Sequence, residues 1–494
     1  MKKNASKIGI FEKFSFAVGE IYGSGGVAIL SLLYLWFLIN IIKIPAGMAG
    51  TIIMLARFWD AFTDPIMGSI SDNTRTKWGR RIPYIFASGI LIVIALFVLF
   101  MPIQGWTSLA GKVAYVVFAH LFYSTVSTIF NVPYLSLSSE ISENLKERNS
   151  MNFVRLAMGM LSTAVCYLVI SALKDMLIVD EVTGVAKLTE TQFALIVAGI
   201  FAVMFAVPIL LTALFCKERT PLPNEKLKFS FKNILETFKL KCFRRLLLMY
   251  VFSFVCNEII ANVIMMYVFN VTGGSSIKIA GFSLSAIANM SMLLGAAVIM
   301  PVSFTMLQKK VAKPVIFMCG IPMFVIGAIG LAAFPANCSI PALVILPLAI
   351  AGIGFGMAQM IPWLVFPDVC DVAELKSNDR NPGAYNSTMT FFKKFASGVA
   401  VLIVGWVLQG FGYDEQLGTN ALQPQSAVLG MRLILGISIP LCLIVAFVGA
   451  FMIKITTKKS ERIRYFVEKQ RNNELENLCD EEKLELETLK KELF

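Results

Sequence analysis

The chain is 494 residues long, 57% hydrophobic and 15% charged, with a formal net charge of +12. A soluble protein carries about 25% charged residues, so a soluble enzyme is excluded. Apolar runs of about 20 residues recur from end to end, which is the pattern of a membrane-spanning chain.

Twelve spans are predicted, at about 12–41, 46–72, 82–103, 112–140, 152–175, 191–215, 246–271, 277–308, 312–334, 341–370, 383–410 and 426–455. The basic start (Lys2, Lys3, Lys7) has the charge of a signal peptide. The apolar run behind it is too long for a signal core and shows no clear cleavage site, so it is expected to stay as the first span. The cationic residues gather in alternate loops: Lys13 before span 1, Arg75, Lys77, Arg80 and Arg81 before span 3, the stretch 217–245 before span 7, and Lys309, Lys310 and Lys313 before span 9. Loops on the opposite side carry little beyond Lys43, Lys112, Lys174, Lys187 and Lys278. This asymmetry places both termini in the cytoplasm, and it accounts for the positive charge without nucleic acid.

The longest hydrophilic interior segment divides the chain. The expected organisation is an N-terminal six-helix bundle over 1–215, a cytoplasmic middle loop over 216–245, a C-terminal six-helix bundle over 246–455 and a charged tail over 456–494. The middle loop holds an amphipathic basic stretch from Lys226 to Lys232, suited to the inner membrane face. Leucines at 475, 478, 484, 486, 489 and 493 predict a short helix in the tail, either solvated or a regulatory, partner-binding element.

Span 2 carries the chemistry. Asp60 and Asp64 project from one face of a helix, about 6 Å apart at their attachment points. An ionised aspartate near the bilayer centre costs about 3 kcal/mol or more, and two together repel. Arg57 lies one turn before them and Thr63 between them. The pair is either a site for a small cation or a buried ion pair with Arg57. Other polar residues inside spans are candidates on the same argument. Glu258 and Asn262 share a face in span 7, where Glu258 is a substrate contact, a second proton site or an interdomain ion pair. Gln359 and Trp363 share a face in span 10, with Trp363 either stacking on a sugar ring or packing. His120, Ser124 and Thr128 follow one another by single turns in span 4. His120, the single histidine, is a satisfied core residue or part of a proton path. The nine cysteines lack CxxC or metal-ligand spacing and read as core fillers. No nucleophile–base or metal constellation indicates an enzyme.

After span 2, Gly68, Asp72, Gly79, Arg80 and Arg81 resemble the loop motif of the major facilitator superfamily, in which an acidic residue at a helix end meets a basic cluster at the domain interface. Arg57, Asp60, Thr63, Asp64, Pro65 and Gly68, followed by Arg75, Trp78 and Gly79, narrow the match. So do Asn131, Pro133 and Tyr134 in span 4, Asp368, Asp371, Glu374 and Lys376 after span 10, and Tyr385 with Lys393 in span 11. On these motifs the chain resembles the glycoside–pentoside–hexuronide:cation symporter family of the major facilitator superfamily, over nearly its whole length.

The resemblance implies an all-α major facilitator fold of twelve transmembrane helices, with a cation site at Asp60, Thr63, Asp64 and Thr128. Thr63 occupies a slot that holds asparagine in the family's melibiose carriers. Sodium is the favoured ion and a proton the alternative, because these are several hard oxygen donors where a proton needs a single carboxylate. Arg155 and Lys393 match family basic residues, and with Arg57 they are expected to balance the aspartates when no cation is bound. The residues that recognise galactosides in the family are absent, Gly23, Ser24, Asn131 and Leu135 standing at those positions. Glu20, after Gly19, resembles a Gly-Asp of helix 1 in other members, and Asn131 retains an acceptor and two donors for a hydroxyl. The substrate candidates are therefore Glu20, Arg57, Asn131, Arg155, Glu258, Gln359, Trp363 and Lys393. Asp72, Arg80, Arg81, Asp368, Asp371 and Glu374 are the expected interdomain gate.

The function expected is a monomeric cation-coupled symporter of the plasma (bacterial inner) membrane, importing a sugar or glycoside by alternating access without a cofactor. The Asp-x-x-Thr-Asp-Pro core also resembles the sodium-dependent lysophospholipid carriers, which makes an amphiphile the rival cargo. A membrane sensor that binds without transporting is the rival of a different class.

Overall fold

A computed structural model describes residues 9–141, 145–177, 187–218, 236–272, 278–279, 282–308, 311–335, 338, 340–377, 382–417, 422–472, 474 and 478–493. The basic start at Lys2, Lys3 and Lys7, the stretch from Lys226 to Lys232, and Lys309 and Lys310 lie outside them. A helix lies over each expected span. In chain order these are α1 (Ile10–Asn40), α2 (Ala46–Asn73), α3 (Ile82–Leu99), α4 (Leu109–Glu140), α5 (Leu145–Asp175) and α6 (Glu190–Phe215). They continue as α7 (Lys241–Val271), α8 (Leu284–Gln308), α9 (Lys313–Ala332), α10 (Pro341–Ser377), α11 (Pro382–Gly410) and α12 (Gln425–Met452). Ten helices among the described residues are long and apolar enough to cross a membrane. The apolar run of α2 is interrupted by Arg57, Asp60 and Asp64, and it is not one of the ten. The eighth helix starts later than the sequence suggests, because residues 278–279 and 282–283 pair as two short antiparallel strands ahead of it.

Local chemistry sets the helix ends. Thr189 and Gln192 form a reciprocal capping box at the start of α6, and Ser108 caps α4 by accepting from the Gly111 amide. The turn into α3 requires Gly79, whose φ of +108° lies in the region that side chains avoid. The Glu218 carboxylate then accepts the amides of Arg80 (2.9 Å), Arg81 (2.7 Å) and Ile82 (3.2 Å), filling the donors left open at a helix N-terminus. Helix faces separate as a hydrocarbon solvent demands. On α6, Val203, Val207 and Leu214 point outward while Phe201, Phe205 and Ile209 are fully buried. On α12, Ile437, Leu441, Ile444, Val448 and Phe451 form an exposed apolar stripe.

The chain forms two compact units. The first comprises Met1–Phe229, Gly273–Ala286 and Val401–Val428; the second comprises Ser230–Thr272, Ile287–Ala400 and Leu429–Phe494. Within the first, α2 meets the end of α11 at backbone distance: a Cβ on Gly405 would lie 2.4 Å from the Ala46 carbonyl, so only glycine fits. The second unit carries the tail, which folds as a helical hairpin of α13 (Thr457–Arg471) and α14 (Asp480–Leu493). Ile463, Phe466 and Val467 of α13 and Leu486, Leu489 and Leu493 of α14 are buried. On the hairpin's flank Arg462 donates to Glu485 (2.9 and 3.0 Å) and Tyr465 to Glu482 (3.0 Å). The predicted tail helix is thus a packed element with its own apolar seam.

Candidate functional site

In the first unit, α2 and α4 lie side by side with their polar rows in register. Asp60 and Asp64 are one turn apart on α2; Ser124 and Thr128 are one turn apart on α4. The Thr128 hydroxyl donates to Asp64 Oδ1 at 2.9 Å, and the Ser124 hydroxyl donates to Asp60 Oδ1. The Thr63 hydroxyl, anchored to the Trp59 carbonyl at 3.0 Å, lies 3.4 Å from the Thr128 oxygen. Beside them the Trp59 indole donates to Thr125 at 2.9 Å, a further tie between the two helices. Pro65 follows Asp64 directly and cannot donate to the Ala61 carbonyl, which loosens the helical ladder at the site. The carboxylates are half-buried, while Ser124 and Thr128 are each 3% exposed.

The four residues expected at the cation site, Asp60, Thr63, Asp64 and Thr128, therefore stand together. Ser124 joins them as a residue absent from the expected ligand set. Its signal was available: it precedes Thr128 by one turn, as Asp60 precedes Asp64. The donors are all oxygen, hard ligands that suit an alkali cation rather than a soft metal. Among the described residues no three His, Cys, Asp or Glu side chains cluster as metal ligands.

The substrate candidates fall into two groups. In the first unit Glu20 and Arg155 pair across α1 and α5 at 3.6 Å, both nearly buried, with the Ser24 hydroxyl donating to Glu20 at 3.0 Å. Arg155 thus has its ion pair with Glu20, where the sequence suggested a countercharge for the aspartates. Gly159, one turn after Arg155, permits this approach: a Cβ there would lie 2.6 Å from the Ser24 hydroxyl. Asn131, half-buried on α4, donates to Ser127 at 2.9 Å, and Arg57 is half-buried one turn before Asp60. His120 is 2% exposed and meets the Tyr34 ring edge-on at 4.7 Å, a packed core position.

In the second unit the candidates gather on α7, α10 and α11. Gln359 donates to the Ser253 carbonyl at 3.2 Å, the Lys393 ammonium sits 4.1 Å over the Phe254 ring, and Trp363 meets Tyr250 edge-on at 5.3 Å. Glu258, one turn beyond Phe254, is 4% exposed, and its carbonyl accepts from Asn262 at 2.8 Å.

The expected gate residues are engaged within their own units. Arg81 binds Asp72 and Ser71, tying the end of α2 to the start of α3. Arg80 is buried at the same corner, beneath the Glu218 cap. Asp368, 3% exposed, accepts from Lys313 (2.6 Å), Ser460 (2.9 Å) and Arg464 (3.1 Å). Asp371 pairs with Arg464 at 3.4 Å, and Glu374 with Arg471 through bonds of 2.6 and 2.8 Å. The acidic row of α10 is therefore held by the tail helix α13. Nothing in local sequence announces that pairing, because its partners lie about ninety residues away.

Helices in two units, each with charged side chains buried inside apolar spans, define a secondary transporter of the major facilitator type. The model of the MFS/sugar transport protein family matches residues 15–457, and the chain belongs to that family, which includes the melibiose-permease-like symporters. A Synechocystis sp. protein named as a symporter is 23% identical over 87% of this chain and 91% of its own. The mouse sodium-dependent lysophosphatidylcholine symporter 1 is 26% identical over 94% of this chain and 88% of its own. The isoprimeverose transporter of Lactiplantibacillus pentosus is 24% identical over 81% of this chain and 80% of its own. Among solved structures, a bacterial homologue of the lysosomal transporter Spinster superposes with a TM-score of 0.63 at 13% identity, covering 92% of this chain and 99% of that one, a likeness of fold alone. The protein is thus a multi-pass membrane symporter and not an enzyme, and the sensor alternative is set aside.

Proposed function

We propose that this symporter couples entry of a sugar or glycoside to sodium bound at Asp60 and Asp64. The observation that carries this is the chain of oxygens from the Asp64 carboxylate through Thr128 to Thr63, with Asp60 one turn away on the same helix. A sodium ion there offsets one of the pair's two negative charges and lessens their repulsion, and each ligand then raises the affinity of the other through the shared site. A membrane potential adds about 2.3 kcal/mol per charge per 100 mV, enough to drive accumulation. The protein sits in the plasma membrane as a monomer with both termini cytoplasmic, in keeping with the positive charge of its alternate loops. Within the first unit Glu20, Arg155 and Asn131 are the candidate polar contacts for a sugar; within the second, Gln359, Trp363 and Lys393 are candidates of the same kinds. Asp72 with Arg81, and Asp368, Asp371 and Glu374, act as inner-face charges that change partners during alternating access.

A lysophospholipid or related amphiphile is the second reading of the cargo, favoured by the likeness to the mouse carrier. A thermal-shift panel of glycosides, pentosides, hexuronides and lysolipids, each with and without sodium, separates the two. The sugar reading expects stabilisation by a glycoside that sodium enhances; stabilisation by lysolipid alone overturns it. Asp60→Asn and Asp64→Asn are each expected to abolish accumulation of the solute so identified. Accumulation that persists in both, with its sodium dependence intact, overturns the cation site.

A further inference from the structure

We propose that Ser124 is a direct ligand of the coupling cation, and that Asp60 and Ser124 form one half of a two-rung site. This rests on the proposed cation site and adds a member that the family resemblance does not assign. The site repeats itself along α2 and α4: Asp60 faces Ser124 as Asp64 faces Thr128 one turn on. Each rung has the same composition, one carboxylate and one neutral hydroxyl, and Thr63 lies beside the second rung.

A hydroxyl bound to an ionised carboxylate spends its proton as the donor and keeps both lone pairs. Those lone pairs are what a cation seated against the carboxylate can use, without any change of helix position. Ser124 is 3% exposed and its oxygen also lies 3.5 Å from the Ala56 carbonyl, so bulk water does not compete for it. A hard monovalent cation prefers many oxygen donors. Two rungs and Thr63 supply five side-chain groups, one more than the set without Ser124. A merely structural Ser124 would knit α4 to α2, but Trp59 and Thr125 already do so one position away, at 2.9 Å.

The test measures the sodium concentration that half-saturates the thermal stabilisation of the purified full-length protein, with choline chloride holding ionic strength. Ser124→Ala is expected to raise that concentration about tenfold, the effect of losing one bond to a charge, each variant being read against its own sodium-free melting temperature because Asp60 also loses a hydrogen bond. Ser124→Thr, which restores the hydroxyl, is expected to stay within about threefold of wild type by the same reasoning. Ser124→Cys keeps the volume and offers a sulfur that alkali cations avoid; it is expected to behave as the alanine variant and provides the same comparison if alanine disturbs folding. A wild-type response to sodium that Ser124→Ala and Ser124→Cys both retain unchanged overturns the ligation by Ser124 alone. A wild type indifferent to sodium and to lithium overturns the cation site, and Ser124 with it.

Discussion

Asp368 is the buried end of a charge cluster, and replacing it by asparagine measures what the tail contributes to the second unit. The carboxylate is 3% exposed and accepts three bonds, from Lys313 at 2.6 Å, Ser460 at 2.9 Å and Arg464 at 3.1 Å. Breaking a buried pair by removing one partner costs about 3–5 kcal/mol. That figure is too large here for two reasons. Arg464 is 56% exposed and keeps Asp371. Lys313 is 27% exposed and keeps the Leu364 carbonyl at 2.7 Å. Asp368→Asn is therefore expected to cost about 2 kcal/mol. For a cooperative unit of this size that lowers the apparent melting temperature by about 4 °C or more. Hydrogen exchange along 457–471 is expected to rise in the same variant, because α13 loses two of its anchors. A double-mutant cycle with Lys313→Met isolates the pair, and a coupling energy above about 0.5 kcal/mol is expected. Unchanged exchange in α13 together with zero coupling would refute the claim that this cluster holds the tail.

Two further outcomes follow from the geometry. Glu20→Gln and Arg155→Gln are each expected to lower the melting temperature, since each strands one member of a nearly buried pair at 3.6 Å. The double variant recovers most of the loss if the pair is self-contained; a double variant worse than either single one would show that each residue is anchored by other partners. The tail hairpin has a pH dependence of known sign. Hydrogen bonding from Tyr465 holds the Glu482 carboxyl below its ordinary value of 4.5, and bonding from Lys459 does the same for Glu492. Groups whose pKa is depressed by folding contribute stability above the unfolded value and lose it as pH falls through the folded one. Proteolysis between α12 and α14 is thus expected to be constant from pH 7 down to about 5 and to accelerate below about 4.5; acceleration on raising pH would contradict these contacts.

The membrane class, the order of the helical spans and the candidate carboxylates were all legible in the amino-acid sequence. The reason is physical: hydrocarbon enforces long apolar helices, and a charge inside one stands out against that background. The partners of those charges were not legible. Ser124 looked like one more polar residue in span 4 until α4 was laid against α2, and Arg155 looked free to serve the aspartates until α1 brought Glu20 beside it. For Asp368, Asp371 and Glu374 the sequence shows an acidic row without showing which side chains face it. The tail was read as a helix from its leucines, yet only tertiary packing turned it into a hairpin whose cations reach that row. Helix formation is decided within a few residues by backbone hydrogen bonds and capping, whereas a charge's partner is decided by which helices pack together.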